Sequence, residues 1–505
     1  MDTNTGTISK RKFVKNIAIV LFSNITSVIS GILLGLIVPK IMEVSEYGYY
    51  KTFTLYASYI GLFGLGFIDG IYLKFAGNKF EDLDKTKFRS YSRFLILMEL
   101  AIMIIVTSVS FFWYSTTTFI PILFVGLDIF AICVTGYFEL IGQITMRFKQ
   151  TSFRKVIKCT LHIVSIGTLF LLYKFSDYYV YAFIFIAITV AIDYILLLWY
   201  LISYREIVFG HSASFKDTKK DIFSFFGIGI VLLLANLVGQ FVFVADQQIV
   251  NIFFDNETYA SYAFAYNMIH LIAVVTNAIS IVLYPTLKQL TKESITTNYS
   301  KINSYLLIIV SFCMISYFPL VMIVNGFLPK YNDSLLIFRV ILPGVLISSS
   351  ISVIKYNCYK TFDKVLNYFV KSLIILLLAI VSDIAVFYIF KSTLYISIVS
   401  IAVLLIWYLL VEALFIKQYK VKWFFNFLYI LLILSCFYLT TLIQNVFLGT
   451  LVYALTFVGL SFLFFGKIIL ALFIRKDKRR ISDADNSDQP KEVNDSEGSN
   501  LNEVQ

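Results

Sequence analysis

The sequence predicts an all-α polytopic membrane protein. It is expected to have about fourteen transmembrane helices, in two six-helix lobes related by a pseudo-twofold along the membrane normal, plus two accessory helices. Three observations predict this. The 505 residues are 59% hydrophobic and only 14% charged, with a mean hydropathy of +0.82, more apolar surface than a soluble chain of this length can bury. Apolar runs long enough to cross about 30 Å of hydrocarbon recur from one end to the other. Lysine and arginine alternate in density between successive loops, as membrane orientation requires.

The runs lie at 17–38, 53–75, 94–115, 118–141, 157–175, 178–203, 222–253, 259–286, 303–326, 335–356, 366–390, 392–416, 424–443 and 446–472. The longest, 222–253, is expected to tilt or to extend into water. Ahead of the first run stand Lys10, Arg11, Lys12 and Lys15. The second loop holds Lys79, Lys85, Lys87, Arg89 and Arg93, and the fourth Arg147, Lys149, Arg154, Lys155 and Lys158. Later even-numbered loops are similarly basic, and Arg475, Lys476, Lys478, Arg479 and Arg480 follow the last run. The odd loops share only Lys40, Lys51, Lys174, Lys330, Arg339 and Lys391. Both termini are therefore expected on the cytoplasmic side. The expected organisation is a cytoplasmic segment 1–16, an N-lobe 17–203, an inter-lobe loop 204–221, a C-lobe 222–416, accessory helices 417–474 and a disordered cytoplasmic tail 475–505. The first run has no credible cleavage site and reads as a retained helix.

Composition excludes several functions. No large polar block interrupts the runs, so a soluble catalytic module has no room. The net charge of +11 does not point to nucleic acid, because it is spread through short loops. Residues 481–505 hold seven acids and one lysine, which leaves +17 on the rest. The five cysteines have no paired spacing and read as buried thiols. GxxxxGK, HExxH and GxSxG are absent, and His162, His211 and His270 lack metal-ligand spacing. The chain therefore reads as neither an enzyme nor a metalloprotein.

The chain repeats itself faintly. "IAIVL" at 17–21 recurs as "IGIVL" at 228–232, and "YGYY" at 47–50 as "YASY" at 259–262. An offset of six spans keeps the orientation, which places the pseudo-axis along the membrane normal. Polar stripes fall on the first two helices of each copy. The seventh run carries Asn236, Gln240, Gln247 and Asn251 on one face, with Asp246 beside it, and the eighth carries Tyr262, Tyr266, His270, Asn277 and Tyr284. The second run carries Thr52, Tyr56, Tyr59, Gly66 and Gly70, and the first Asn24, Gly31 and Gly35. The glycines read as helix-packing positions. The amides and phenols exceed what packing needs and are expected to line one central polar cavity. Asp69 lies about two turns from the cytoplasmic end of its run, with Lys74 after it, and is expected to matter for transport rather than folding. Asp246 reads equally well as a hydrogen-bonded core group or as an ion site, whereas Asp193 and Asp383 read as core groups.

"LIVPKIMEVSEYGYY", "GLGFIDGIYLKFAG", "ANLVGQFVFVADQQIV", "YASYAFAY" and "LYPTL" resemble, in this order and spacing, segments of the polysaccharide flippases in the MATE-like (multidrug/oligosaccharidyl-lipid/polysaccharide) exporter superfamily. The resemblance spans residues 13–474. It implies alternating access of a central cavity that moves a polyprenyl-diphosphate-linked oligosaccharide to the outer leaflet of a bacterial cytoplasmic membrane. The product would be capsule, O-antigen or exopolysaccharide, with a polymerase and assembly proteins as partners beside the membrane lipids. The family commonly has a base after its acid in the seventh helix, and Gln247 stands there instead.

The cavity residues expected to carry the function are Asn24, Tyr56, Tyr59, Asp69, Lys74, Asn236, Gln240, Asp246, Gln247, Tyr266, His270 and Asn277. Lys74 and Lys355 on the inner side, and Lys40 and Lys51 on the outer, are the cations that would suit a diphosphate, and each also fits simple interfacial anchoring. No cofactor is expected, and proton or sodium coupling stays open. The alternative is a cation-coupled multidrug-type antiporter of the same fold. Runs thirteen and fourteen carry no polar stripe. Cysteines placed at mid-depth in 424–472 should therefore resist water-borne thiol reagents, and a labelled face there would put these helices in the lumen.

Overall fold

The computed structural model describes the backbone of residues 10–75, 79–113, 118–145, 147–176, 179–288 and 290–485. The side chains of 10–21, 113, 271, 273–275, 277–278, 281–282, 284–286, 288, 469 and 471–485 lie outside that description. The described chain is helical throughout. The first half contains α1 (Lys10–Ile41), α2 (Val44–Ala57), α3 (Phe67–Phe75), α4 (Lys85–Ser110), α5 (Phe119–Ile144), α6 (Phe148–Ser176), α7 (Ala182–Ser203) and the single turn α8 (Arg205–Val208). The second contains α9 (Phe215–Phe253), α10 (Asn256–Lys288), α11 (Lys292–Cys313), α12 (Tyr317–Phe327), α13 (Ser334–Ile341), α14 (Gly344–Ser349), α15 (Tyr356–Thr361), α16 (Val365–Phe390) and α17 (Thr393–Tyr419). The chain ends with α18 (Phe424–Thr440) and α19 (Val446–Asp485).

Among the described residues, ten helices are long and apolar enough to cross a membrane, and up to twelve if each of two bent pairs is one span. The protein is a multi-pass membrane protein. Helix α10 and the 17-residue α18 occupy the remaining two expected positions. Some expected boundaries differ. The inter-lobe loop shrinks to 209–214 between α8 and α9. Helix α19 continues to Asp485, eleven residues past the point where an unstructured tail was expected, and 486–505 lie outside the described residues.

Two spans expected to be continuous are broken. Val44–Leu62 and Phe67–Phe75 meet at 53°, where Leu65 (φ 49°) and Gly66 (φ 80°) turn left-handed. Ser334–Ile341 and Gly344–Thr361 meet at 41°, beside Pro343, whose ring removes a helical donor. The α3 break explains Asp69. It sits in the first turn of the new helix, where unpaired amides and the macrodipole favour a carboxylate.

Helix pairings in the two halves correspond. Helix α1 packs along α6 as α9 does along α16, α2 on α5 as α10 on α13, α4 on α5 as α11 on α14, and α5 on α7 as α13 on α17. Helices α18 and α19 pack on each other and on α11 and α12.

The halves meet at two seams. At one, α2 and the end of α1 lie against α10. Lys40 Nζ donates to the Phe327 carbonyl at 2.8 Å, Lys330 Nζ to that of Met42, and Asn267 Nδ2 to that of Gly35 at 3.0 Å. At the other, α3 crosses α9 with backbones in contact. A Cβ on Gly229 would lie 1.9 Å from the Gly66 carbonyl oxygen, and one on Gly70 would lie 2.1 Å from that of Phe225. Lys74 closes this seam through Asp221 at 2.9 Å. The crossing generates a prediction. Gly229→Ala should lower thermal stability in detergent by about 1–3 kcal/mol through overpacking. Gly227→Ala, with nothing within 4 Å of its Cβ position, should leave it unchanged.

Candidate functional site

A cavity of about 550 Å³ is lined by α9, α10, α13–α17 and the turn after α2. The α9 stripe is divided. Asn236, Gln240 and Gln247 line the cavity, while Asn251 Nδ2 donates to Thr52 Oγ1 on α2 at 2.8 Å. Asn236 Oδ1 accepts from Tyr356 OH on α15. Gln240 is exposed.

Asp246 is the polar centre. It is 3% exposed, and its carboxylate accepts from Tyr262 OH at 2.7 Å, from Ser400 Oγ at 3.0 Å and from Tyr266 OH. Three elements, α9, α10 and α17, thus converge on one carboxylate. Asp383 on α16 lines the same cavity, and its Oδ1 has no hydrogen-bond partner among the described residues. It is 1% exposed, so a buried core position and a place in the cavity wall coincide there. Asp193 behaves differently and pairs with Lys158 at 2.5 Å in the first half.

Among the other expected residues, Tyr59, Tyr266 and His270 line the cavity. Tyr56 accepts from Gln248 Nε2 at 3.0 Å, and Tyr59 OH donates to Gln248 Oε1 at 2.9 Å. Gln248 therefore clasps the two halves together. Asn24 lies elsewhere, accepting from Lys155 Nζ at 2.8 Å on α6, because the α1 face that bears it packs along α6. Asp69 and Lys74 are at the α3–α9 seam, not among the lining residues. The side chain of Asn277 lies outside the described residues. Lys355, expected as an inner cation for a diphosphate, is instead fully buried against Glu412 at 2.9 Å.

Two equivalent helix pairs were expected to enclose the cavity symmetrically. The lining is lopsided, because among the described residues the first half contributes only Ser58 and Tyr59. Sequence reasoning missed Ser348, Ser352 and Tyr356, which share one helical face at steps of four and line the cavity. Their spacing in "SSSISVIKY" carried that signal. It also missed Gln248, one residue off the α9 stripe. Among the described residues no three His, Cys, Asp or Glu side chains are placed to hold a metal ion.

Residues 80–327 match a family described as "Polysaccharide biosynthesis protein". The structure is similar to that of lipid II flippase MurJ in an inward closed conformation, at 15% identity and a TM-score of 0.64, covering 90% of this chain and 100% of that one. It is also similar to an inward-facing multidrug resistance MATE family transporter of the MOP superfamily, at 12% identity and a TM-score of 0.58, covering 81% and 99%. A MATE structure in complex with MaD3S aligns at 12% identity with a TM-score of 0.50, covering 80% and 94%. No curated protein matches the chain. The chain shares its fold with these structures. The first of these is named a flippase and the second a transporter.

The Gln248 clasp is testable by a double-mutant cycle. Gln248→Leu and Tyr59→Phe should each lower stability in detergent, with a coupling energy of about 0.6–1.7 kcal/mol, the range for hydrogen bonds between membrane helices. Strict additivity would mean that the bond contributes nothing.

Proposed function

We propose that this protein is a flippase that carries a polyprenyl-diphosphate-linked oligosaccharide from the cytoplasmic to the outer leaflet for surface polysaccharide synthesis. One observation carries the reading: a cavity among the spanning helices whose largely apolar wall is studded with amides, hydroxyls and phenols. A glycan headgroup cannot cross hydrocarbon, because each hydroxyl that loses water without a new partner costs free energy. Amides and hydroxyls both donate and accept, so Asn236, Gln240, Gln247, Ser348 and Ser352 can replace that water. Phenol faces at Tyr59, Tyr266 and Tyr356 suit the apolar faces of sugar rings. The match of residues 80–327 to a polysaccharide biosynthesis family and the likeness to a lipid II flippase support the same reading.

The transport cycle we propose is alternating access. Residues 17–203 and 222–416 act as two lobes that part at one seam while the other holds, and the corresponding helix pairings support this division. The proposed topology has fourteen crossings, with both termini in the cytoplasm of a bacterium and 417–474 as accessory helices. The products would pass to a polymerase and assembly proteins. The hydroxyl cage of Asp246, with Asp383 in the same cavity, favours a proton or monovalent cation as the coupling ion. The same two carboxylates are what favours the second reading, a cation-coupled small-molecule antiporter.

Gln240→Leu combined with Gln247→Leu separates the two. Leucine is cheaper than glutamine in lipid, so insertion should be unimpaired. The double variant should block delivery of the lipid-linked glycan to the outer leaflet, so that it accumulates on the inner one. Loss of drug extrusion with normal glycan delivery would select the antiporter.

A further inference from the structure

The bent segment that forms one wall of the cavity has two dissimilar faces. Ser348, Ser349, Ser352 and Tyr356 look into the cavity. Behind them, Lys355 Nζ lies 2.9 Å from Glu412 Oε2 on α17, with both side chains wholly buried. Tyr299 OH on α11 donates to the same carboxylate oxygen at 2.9 Å. Lys355 Nζ also donates to Ser350 Oγ at 2.9 Å, and Ser350 Oγ donates to Asn303 Oδ1 at 2.7 Å. The ammonium sits 3.5 Å from the Tyr408 ring centroid. Between Ser350 and Lys355 the chain winds as a π-helical turn.

Both features are costly. A buried ion pair is often no more stable than apolar residues of the same volume, and a π-turn is a poorer helix that recurs at functional sites. Here they coincide on six residues whose opposite face is the cavity wall. Return of this turn to α-helical winding would displace every later residue by about 100° of rotation and 1.5 Å of rise. Tyr356 would then leave Asn236, to which it donates across the cavity lining.

We infer that Lys355 and Glu412 form a positioning pair that holds the π-turn and so sets which side chains of this wall face the cavity. The pair touches no substrate and acts through Ser352 and Tyr356. Its charges hold each other in place behind the wall, and the wall takes its shape from that anchor. This rests on the cavity being the transport route.

The test uses Ser352→Cys as a reporter for a water-borne thiol reagent, scored above the same protein without the added cysteine. Lys355→Met and Glu412→Leu are made singly and together. Each single variant leaves a lone buried charge and should lose most of its folded protein. The double variant should regain normal protein levels, while reporter labelling changes at least about threefold and glycan delivery stays down about tenfold or more. The amide pair Lys355→Gln with Glu412→Gln is run beside it, so that the test stands if the apolar pair does not fold. Parental labelling and delivery in a folded double variant would overturn the inference and leave the cavity reading intact. A reporter closed to the reagent in the parent would overturn the cavity as the route, and this inference with it.

Discussion

The close crossing of α3 and α9 is the contact on which the arrangement of the two halves depends. In lipid, burying an apolar side chain between helices gains little over leaving it in the hydrocarbon, so helices associate by close backbone approach and polar pairing. Gly66, Gly70 and Gly229 remove the side chains that would keep the backbones apart. Gly66 at φ 80° also makes the left-handed turn that redirects α3 across α9. Asp69 in the first turn of α3 and Lys74 in its last follow from the same break, one at the amide end and the other bridging to Asp221. The glycine-rich stretch with its carboxylate is therefore a crossing built for contact between halves.

Polar groups elsewhere obey the same solvent. Away from water most find a partner inside the protein, and their surroundings differ. Some stitch the halves, as Gln248 does with Tyr56 and Tyr59 and Asn251 with Thr52. Some neutralise one another out of reach of water, as Lys355 and Glu412 do. Others, around Asp246 and Asp383, line a cavity of about 550 Å³. The two halves share a pattern of helix pairing but divide this work unequally, the second providing nearly all of the cavity wall.

The positions of the ten to twelve candidate spans could be read in advance, because length and hydropathy are local properties and an apolar run of that length crosses lipid as a helix. The α9 stripe was legible for the same reason, since helical periodicity places Asn236, Gln240 and Gln247 on one face whatever surrounds them. Periodicity could not say where the stripe leaves the cavity for the seam, which is why Asn251 and Gln248 took other roles. Nor could it distinguish the face of α1, where Asn24 meets Lys155, from a lumen face.

Sequence alone thus determined the solvent, the class of fold, the segments and the polar faces, all consequences of composition and the 3.6-residue period. Tertiary structure decided which polar face meets which. It placed Lys355 behind the cavity wall, brought Asp383 into the cavity and broke α2 from α3. Those outcomes depend on the partner that a neighbouring helix presents at a given depth, and that partner stands over fifty residues away for Lys355 and about two hundred for Tyr56.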